Sequence, residues 1–339
     1  MADLVNKVRV CGYLRENNLV ADTRNGVGVV RGNVVVAVEE NNFSPVDVRV
    51  DYYATAGTKS YDGLLKMLPD SAVSFKALKT QYPMMSDEEV KAKATKVDAI
   101  GALEENAFKG RDGDVVTSPR IKGFGLFVKE KEFIPYENIV ATAYVMSLSE
   151  ETDKEGGTTG RLIVNVCIPN CFKKRDGTEV KDGFVFKLVC SDPVASYLST
   201  YCSPGSTLPF IARNSVKEVV SAPLAAGGTV VGVNNYIPTA VSVVQELEII
   251  GVSANPIDYT ESHGFNPAEI RDILATREVR LEKIKAESTV AAKPVVGIAG
   301  GPAFPTPAPA APTAQANPFT PTPNNSATPN FSNIADITF

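Results

Sequence analysis

The chain of 339 residues has no tryptophan, one histidine and five cysteines. A single histidine leaves little material for histidine-based acid–base or nucleophilic catalysis. That residue, His263, sits in Glu-Ser-His-Gly-Phe and reads as a plain loop histidine. No Gly-x-x-x-x-Gly-Lys-Ser/Thr phosphate loop and no Gly-x-Ser-x-Gly elbow occurs, and Gly26, Gly28 and Gly32 have the wrong spacing for a dinucleotide loop. Five is an odd number of cysteines, which fits free thiols in a reducing cytosol. Cys167 and Cys171 are separated by three residues, whereas a zinc pair usually has two between its ligands. Cys167 and Cys190 fall in expected strands and read as core thiols. Glu150, Glu151 and Asp153 read as a solvated loop. The expectation is no enzyme, no metal and no cofactor. Long apolar runs are missing too. The longest, residues 34–38, is far below the roughly 20 residues that a membrane helix needs. The N-terminal residues show no signal-peptide stretch, so the expected location is cytoplasmic, with no membrane partner. A cation excess is also absent. Lys and Arg number 34 against 39 Asp and Glu, a net charge of −5.

What is present changes along the chain. Residues 288–339 hold ten of the 23 prolines and two charged side chains, Lys293 and Asp336. Such a segment buries too little apolar surface to offset ordering entropy, so it is expected to be a disordered, extended tail. The two charges cancel, and the body carries the whole −5. Before the tail, Asn266-Pro267 looks like a helix start, with Ile270, Ile273, Leu274, Leu281 and Ile284 at helical spacing up to Glu287. This amphipathic helix either packs on the body or pairs with a copy of itself, which leaves a homo-oligomer open.

The body is strand-rich. Alternating or β-branched runs cover 7–14, 27–38, 46–54, 71–79, 121–129, 139–147, 161–168, 184–190, 206–214 and 243–252. Helical signals are few: 61–68, 86–96 and 193–202. The second half runs strand, strand, strand, helix, strand, strand. That is the order of an OB-fold, a five-stranded Greek-key barrel that binds oligonucleotides on strands 2–3 and neighbouring loops. The first half repeats it more loosely. Ser60-Tyr61 echoes Ser196-Tyr197, and Pro69-Asp70-Ser71 echoes Ser203-Pro204-Gly205-Ser206. The expected fold is mainly β: two tandem OB-like barrels, a C-terminal helix and a disordered tail. The barrels are set at 1–132, with an insertion near 81–120, and at 133–257. A loop and helix follow at 258–287, then the tail. A duplicated β-sandwich gives a similar strand count.

Binding a nucleic-acid strand needs cations along a groove and flat rings on which bases stack. Residues 108–131 contain six basic and three acidic side chains with Phe124 and Phe127 among them. Strand alternation places Lys122, Phe124 and Leu126 on one face. Lys173, Lys174 and Arg175 lead into Phe184 and Phe186. Tyr13 and Arg15 lie in the first strand, Arg24 and Arg31 flank the second, and Tyr52-Tyr53 closes the third. The candidate single-stranded DNA-binding set is Tyr13, Arg15, Arg24, Arg31, Tyr52, Lys122, Phe124, Lys173, Lys174, Arg175 and Phe184. Barrel cores also use Phe and Tyr, and basic tracts also make solvated loops, so each residue has a plainer reading beside this one.

The chain ends Ile334-Ala335-Asp336-Ile337-Thr338-Phe339. A proline-rich linker closing in an acidic-apolar tip with terminal Phe resembles bacterial and phage single-stranded DNA-binding proteins, whose tip reads Asp-Asp-Asp-Ile-Pro-Phe. Asp336, Ile337 and Phe339 match by position; Thr338 replaces Pro, and Ile334 and Ala335 replace two acids. Residues 186–190, 194–197 and 203–206 resemble the family's third strand, helix and entry to the fourth strand. The resemblance implies an OB-fold body that coats single-stranded DNA in replication, recombination or repair. It also implies a tip that recruits replication and repair proteins. Two barrels on one chain depart from the usual bacterial form and point to a phage-type or otherwise divergent member, working in the host cytoplasm if phage-encoded. The rival expectation is a structural, virion-type β protein with a flexible tether and no DNA binding.

Overall fold

The computed structural model describes residues 5–40, 45–110, 112–130, 134–153, 156–173, 176–220, 241–253 and 264–287. The candidates Lys174 and Arg175, His263 and the tip residues Asp336, Ile337 and Phe339 lie outside them. The described chain is mainly β, with five helices, the longest at its C-terminal end. Its strands are β1 (Asn6–Asn17), β2 (Val20–Arg24), β3 (Val27–Glu40), β4 (Pro45–Thr55), β5 (Lys96–Lys109), β6 (Val115–Val128), β7 (Tyr136–Thr152), β8 (Thr158–Lys173), β9 (Glu179–Cys190), β10 (Thr207–Val220) and β11 (Val241–Val252). The helices are α1 (Lys59–Leu65), α2 (Phe75–Gln81), α3 (Asp87–Lys93), α4 (Val194–Tyr201) and α5 (Pro267–Glu287).

The strand pairings close two rings. In the first, β1 pairs β3, β3 pairs β4, β4 pairs β6, β6 pairs β5 and β5 pairs β1. In the second, β7 pairs β8, β8 pairs β9, β9 pairs β11, β11 pairs β10 and β10 pairs β7. Each ring has one parallel contact, β4 with β6 and β9 with β11. A short helix follows the third strand of each ring and buries a leucine, Leu64 of α1 or Leu198 of α4. The rings join along the first halves of β1 and β7, antiparallel from Asn6 opposite Ala141 to Cys11 opposite Tyr136. β1 can serve both partners because Arg15 bulges between Leu14 and Glu16, where the strand turns toward β3.

Two sequence expectations fail in the first half. Residues 71–79 form no strand; Ser74 caps α2 by accepting from the Ala77 amide, and Phe75 and Leu78 pack with Val90 and Ala94. Period three, read as period two, gave the wrong element. The ring's fourth strand is instead β5, inside the stretch expected to be an insertion. β2 was missed, although Asn25-Gly26 with φ of 50° and 75° is the strongest short hairpin signal.

The C-terminal helix packs on the body, the first of the two alternatives. Asn266 Oδ1 accepts from the Ala268 amide at its start. Phe265, Ile270 and Ile273 bury against Tyr144 and Cys167. One turn on, Arg277 donates twice to buried Glu105 of β5 from Nε at 3.0 Å, and Arg280 reaches the same carboxylate at 3.0 Å. Arg280 also lies 2.9 Å from Asp182 of β9. Helix α5 therefore ties a strand of each ring. Burial pushes the Cys167 thiol up to about 12 and Cys190 to about 11, so both stay protonated at neutral pH. Among the described residues no metal-ligand cluster occurs, and no helix is long and apolar enough to cross a membrane.

Two outcomes test these ties. Glu105→Ala leaves Arg277 without its buried partner and should destabilise by about 3–5 kcal/mol in urea unfolding. Asp98, 4% exposed, accepts from Arg9 Nε at 3.0 Å, and that bond holds its carboxyl below the usual range. A depressed folded pKa adds stability above the unfolded value and loses it as pH falls. Asp98→Asn should cost about 1–2 kcal/mol at pH 7, and thermal melts should show the gap closing below about pH 4.

Candidate nucleic-acid interface

The first ring presents rings and cations together on one outer face. On β4, Val46, Val48, Val50, Tyr52 and Ala54 are buried, so Arg49, Asp51 and Tyr53 point outward. Pairing sets Arg31 of β3 opposite Tyr53 and Lys122 of β6 beside Asp51. The β4–β6 ladder ends at Tyr52 opposite Gly123, and the next residue on each strand, Tyr53 and Phe124, carries an exposed ring.

Phe124 is held by a bulge. Gly125 pairs Ile100 and Gly123 pairs Gly101, which leaves Phe124 as the extra residue. Three contacts fix that geometry. The Tyr52 ring lies against Gly123, where an added Cβ would come within 2.1 Å of it. The Tyr52 hydroxyl donates to the Gly125 carbonyl at 3.1 Å, and Ser60 Oγ, in the first turn of α1, donates to the Phe124 carbonyl at 2.8 Å. The bulge also shifts the alternation, so Leu126 turns inward instead of sharing a face with Lys122 and Phe124. Tyr53 is 54% exposed, Phe124 50% and Phe127 53%.

Each cation on this face has a carboxylate partner. Arg31 meets Asp22 at 3.1 Å and Arg49 meets Asp51 at 2.9 Å, while Arg120 and Lys122 share Glu104 at 3.0 Å. Exposed pairs of this kind are worth about 0–1 kcal/mol, so exchanging a carboxylate for a phosphate costs little.

Most other sequence candidates fall elsewhere. Tyr52 is 3% exposed and Phe184 6%; both are core, and neither ring can stack on a base. Strand parity places them there: Tyr52 is in phase with the buried valines of β4, and Phe184 packs beside Phe186. Tyr13 lies opposite Ala37, toward the far end of β3 from Arg31, with its ring 5.9 Å from Phe75. Arg15 stacks on Phe75 at 4.9 Å and lies 3.4 Å from Asp47. Arg24 is exposed at the end of β2. Lys173 ends β8 opposite Glu179. The structure thus brings Arg31, Lys122 and Phe124 together, with Arg24 on the same side of the β2–β3 hairpin as Arg31, and leaves Tyr13, Arg15, Tyr52, Lys173 and Phe184 outside that face. It adds Tyr53 and Phe127, which parity along β4 and the bulge in Gly-Phe-Gly-Leu-Phe would have found.

Among its described residues the second ring shows no such face. On its β8–β9 ladder, Asn165 lies opposite Lys187, and Arg161 bridges Glu151 and Glu246. Further along, α5 covers Cys167 and Gly183, and the exposed ring on this ladder is Phe172, opposite Val180 near the hairpin end.

A family model described as YorF matches residues 5–287, which takes in both rings and α5. The chain belongs to the YorF family. Two solved structures of the single-stranded DNA-binding protein from Thermus aquaticus, a deletion variant and the wild type, are similar to this YorF-family chain. Each is 10% identical with a TM-score of 0.42, and they cover 79% and 78% of this chain and 99% and 98% of their own. No curated protein matches it.

The geometry under Phe124 is testable without a ligand. Gly123→Ala should clash with the Tyr52 ring and lower the thermal midpoint more than Tyr52→Phe. The latter loses one hydrogen bond, about 0.5–1.5 kcal/mol. Equal stability of Gly123→Ala and wild type would show that the ring does not rest on that glycine.

Proposed function

We propose that this chain binds single-stranded DNA on the outer face of its first ring and carries out no catalysis. The observation that supports it is the set of exposed aromatics, Tyr53 and Phe124, flanked on adjacent strands by Arg31 and Lys122. Unpaired bases stack on Tyr53 and Phe124, while the cations exchange their carboxylates for phosphates. In this reading each closed ring with its plugging helix is an OB-type barrel, and the face used spans the ring's second and third strands, β3 and β4, and its fifth, β6. The first barrel binds, and the second is held against it by α5. Residues 288–339 then act as a tether whose tip, Asp336, Ile337 and Phe339, recruits replication, recombination or repair proteins. An apolar Phe with its own carboxylate suits a basic-rimmed pocket on such a partner. The phage-type assignment belongs to the same reading.

Fluorescence anisotropy of labelled oligo-dT, with a matched duplex as control, tests it at two salt concentrations. Tight binding to the single strand, weak binding to the duplex and a clear salt slope are expected. Tyr53→Ala and Phe124→Ala should each weaken binding by about 1–3 kcal/mol. Lys122→Ala should flatten the salt slope by about 0.7. Phe184→Leu should lower the thermal midpoint and leave affinity alone. Deleting the tip should abolish partner pull-down with DNA affinity intact. No binding at low salt would overturn the reading in favour of a tethered structural protein.

A further inference from the structure

The outer surface of the first ring does not end at β6. Beyond it lie β5 and then β1, which carries the seam with β7. Alternation fixes what these strands show to solvent. On β5, Val97, Ala99 and Leu103 are buried in the core, so Asp98, Ile100, Ala102 and Glu104 point outward. On β1, Val8 and Val10 are buried, so Lys7 and Arg9 point outward. Pairing aligns these residues with β6. Lys122 lies opposite Ala102, Gly125 opposite Ile100 and Phe127 opposite Asp98, and Arg9 lies opposite Ile100 on the other edge of β5. Lys7 falls beside Ala102, because the neighbouring Asn6 side chain holds the Leu103 amide at 2.9 Å and the Leu103 carbonyl at 2.8 Å.

Two properties of this surface match the face it adjoins. The first is aromatic surface. The exposed Phe127 ring leans over Gly125, where an added Cβ would come within 2.7 Å of it, and exposed Ile100 lies across from that glycine. The second is charge in layers. Asp98 takes both Arg9 and Lys129, and Glu104 takes both Arg120 and Lys122, so each carboxylate is outnumbered two to one. The acids lie beneath. The side chains of Asp98 and Glu104 are 6% and 15% exposed, against 49% and 48% for Arg9 and Lys122. Lys7 is exposed and has no carboxylate partner among the described residues. A row of phosphates approaching from solvent therefore meets cations first. A polyglutamate chain would answer the charge, but it brings no flat rings to lay on Phe127, and unpaired bases do.

We propose that the bound strand continues from β4 over β6 and β5 to β1, with Phe127 as a further stacking ring and Lys129, Arg9 and Lys7 as further phosphate contacts, and so reaches the seam between the rings. The inference rests on the single-stranded DNA-binding reading above. Paired strands lie about 4.8 Å apart, so the step from Lys122 to Lys7 lengthens the path by about 10 Å.

The test is lysine acetylation footprinting of the full chain, alone and with excess oligo-dT of about 16 nucleotides, the upper site size of one OB-type barrel. Lys7 and Lys129 should be protected together with Lys122, while Lys187 of β9 reacts as it does in the free chain. This readout needs no variant to fold. Phe127→Ala should weaken binding of the same oligonucleotide about five-fold or more, the low end for one stacked base. Lys7→Ala should flatten the salt slope by about 0.7. Both side chains are exposed, so both variants should keep the wild-type thermal midpoint. Protection of Lys122 alone, with Lys7 and Lys129 as reactive as in the free chain, overturns the path and leaves the DNA-binding reading standing. Polyglutamate that protects Lys7 as well as the oligonucleotide does overturns it too, since the surface then answers charge alone. Protection of none of the three lysines overturns both.

Discussion

The antiparallel ladder between β1 and β7 is the constraint on which the rest of the body depends. Each strand opens its own ring, and each uses its first half for the other ring's opening strand. A backbone amide or carbonyl left unpaired in the interior is expensive, so both strands must satisfy both edges along that half. They then turn away, β1 to β3 and β7 to β8, and close separate cores. The result is one continuous hydrogen-bonded sheet that closes on itself twice. Its remaining edge, β2, is short, which limits edge-to-edge pairing. Polar contacts reinforce the seam. Asp98 of β5 holds Arg9 of β1, and the Arg9 guanidinium lies 5.9 Å from the Tyr136 ring of β7.

A shared plan does not give the two rings a shared surface. The first leaves the outward side of β3, β4 and β6 open, and the bulge at Phe124 aims a ring there. The second uses the comparable side to seat α5. Gly183 permits that close approach, because a Cβ there would come within 2.5 Å of Ile273. The Arg277–Glu105 and Arg280–Asp182 pairs then draw β5 and β9 to one helix. A buried pair of this kind adds little net stability by itself, but losing one partner is costly. It therefore holds α5 in one register along both rings more firmly than its few apolar side chains could.

Fold class was legible because strand alternation is a local property. The valines at 46, 48 and 50 mark β4 without any knowledge of its partners, and the Leu/Ile spacing of 270–284 marks α5. The site was less legible for a related reason. The same alternation that marks β4 assigns Tyr52 inward and Tyr53 outward, yet composition weighs the two tyrosines equally. Phe124 and Leu126 share a parity in sequence and lie on opposite faces in space. The bulge between them is set by pairing with β5, a partner 25 residues upstream in register at Ile100. Residues 71–79 misread for the opposite reason: α2 and α3 cover each other through Phe75, Leu78, Val90 and Ala94, a small cluster whose helical period is weak in either segment alone.

Net charge is a poor guide to what this surface can bind. The body carries −5, yet the acids near the first ring's face are largely engaged: Asp22, Asp51 and Glu104 neutralise four cations at close range. In water such pairs are nearly balanced against solvation, so the cations are held in position at small net gain. A polyanion brings what the carboxylates cannot, the release of its own condensed counterions as each phosphate meets a cation. The paired carboxylates then act as placeholders that keep Arg31, Arg49, Arg120 and Lys122 extended along the strands. The same acids repel a strand that lacks unstacked bases to lay on Tyr53 and Phe124. In the single-strand reading proposed above, that combination favours a flexible single strand over a duplex, whose bases are already stacked.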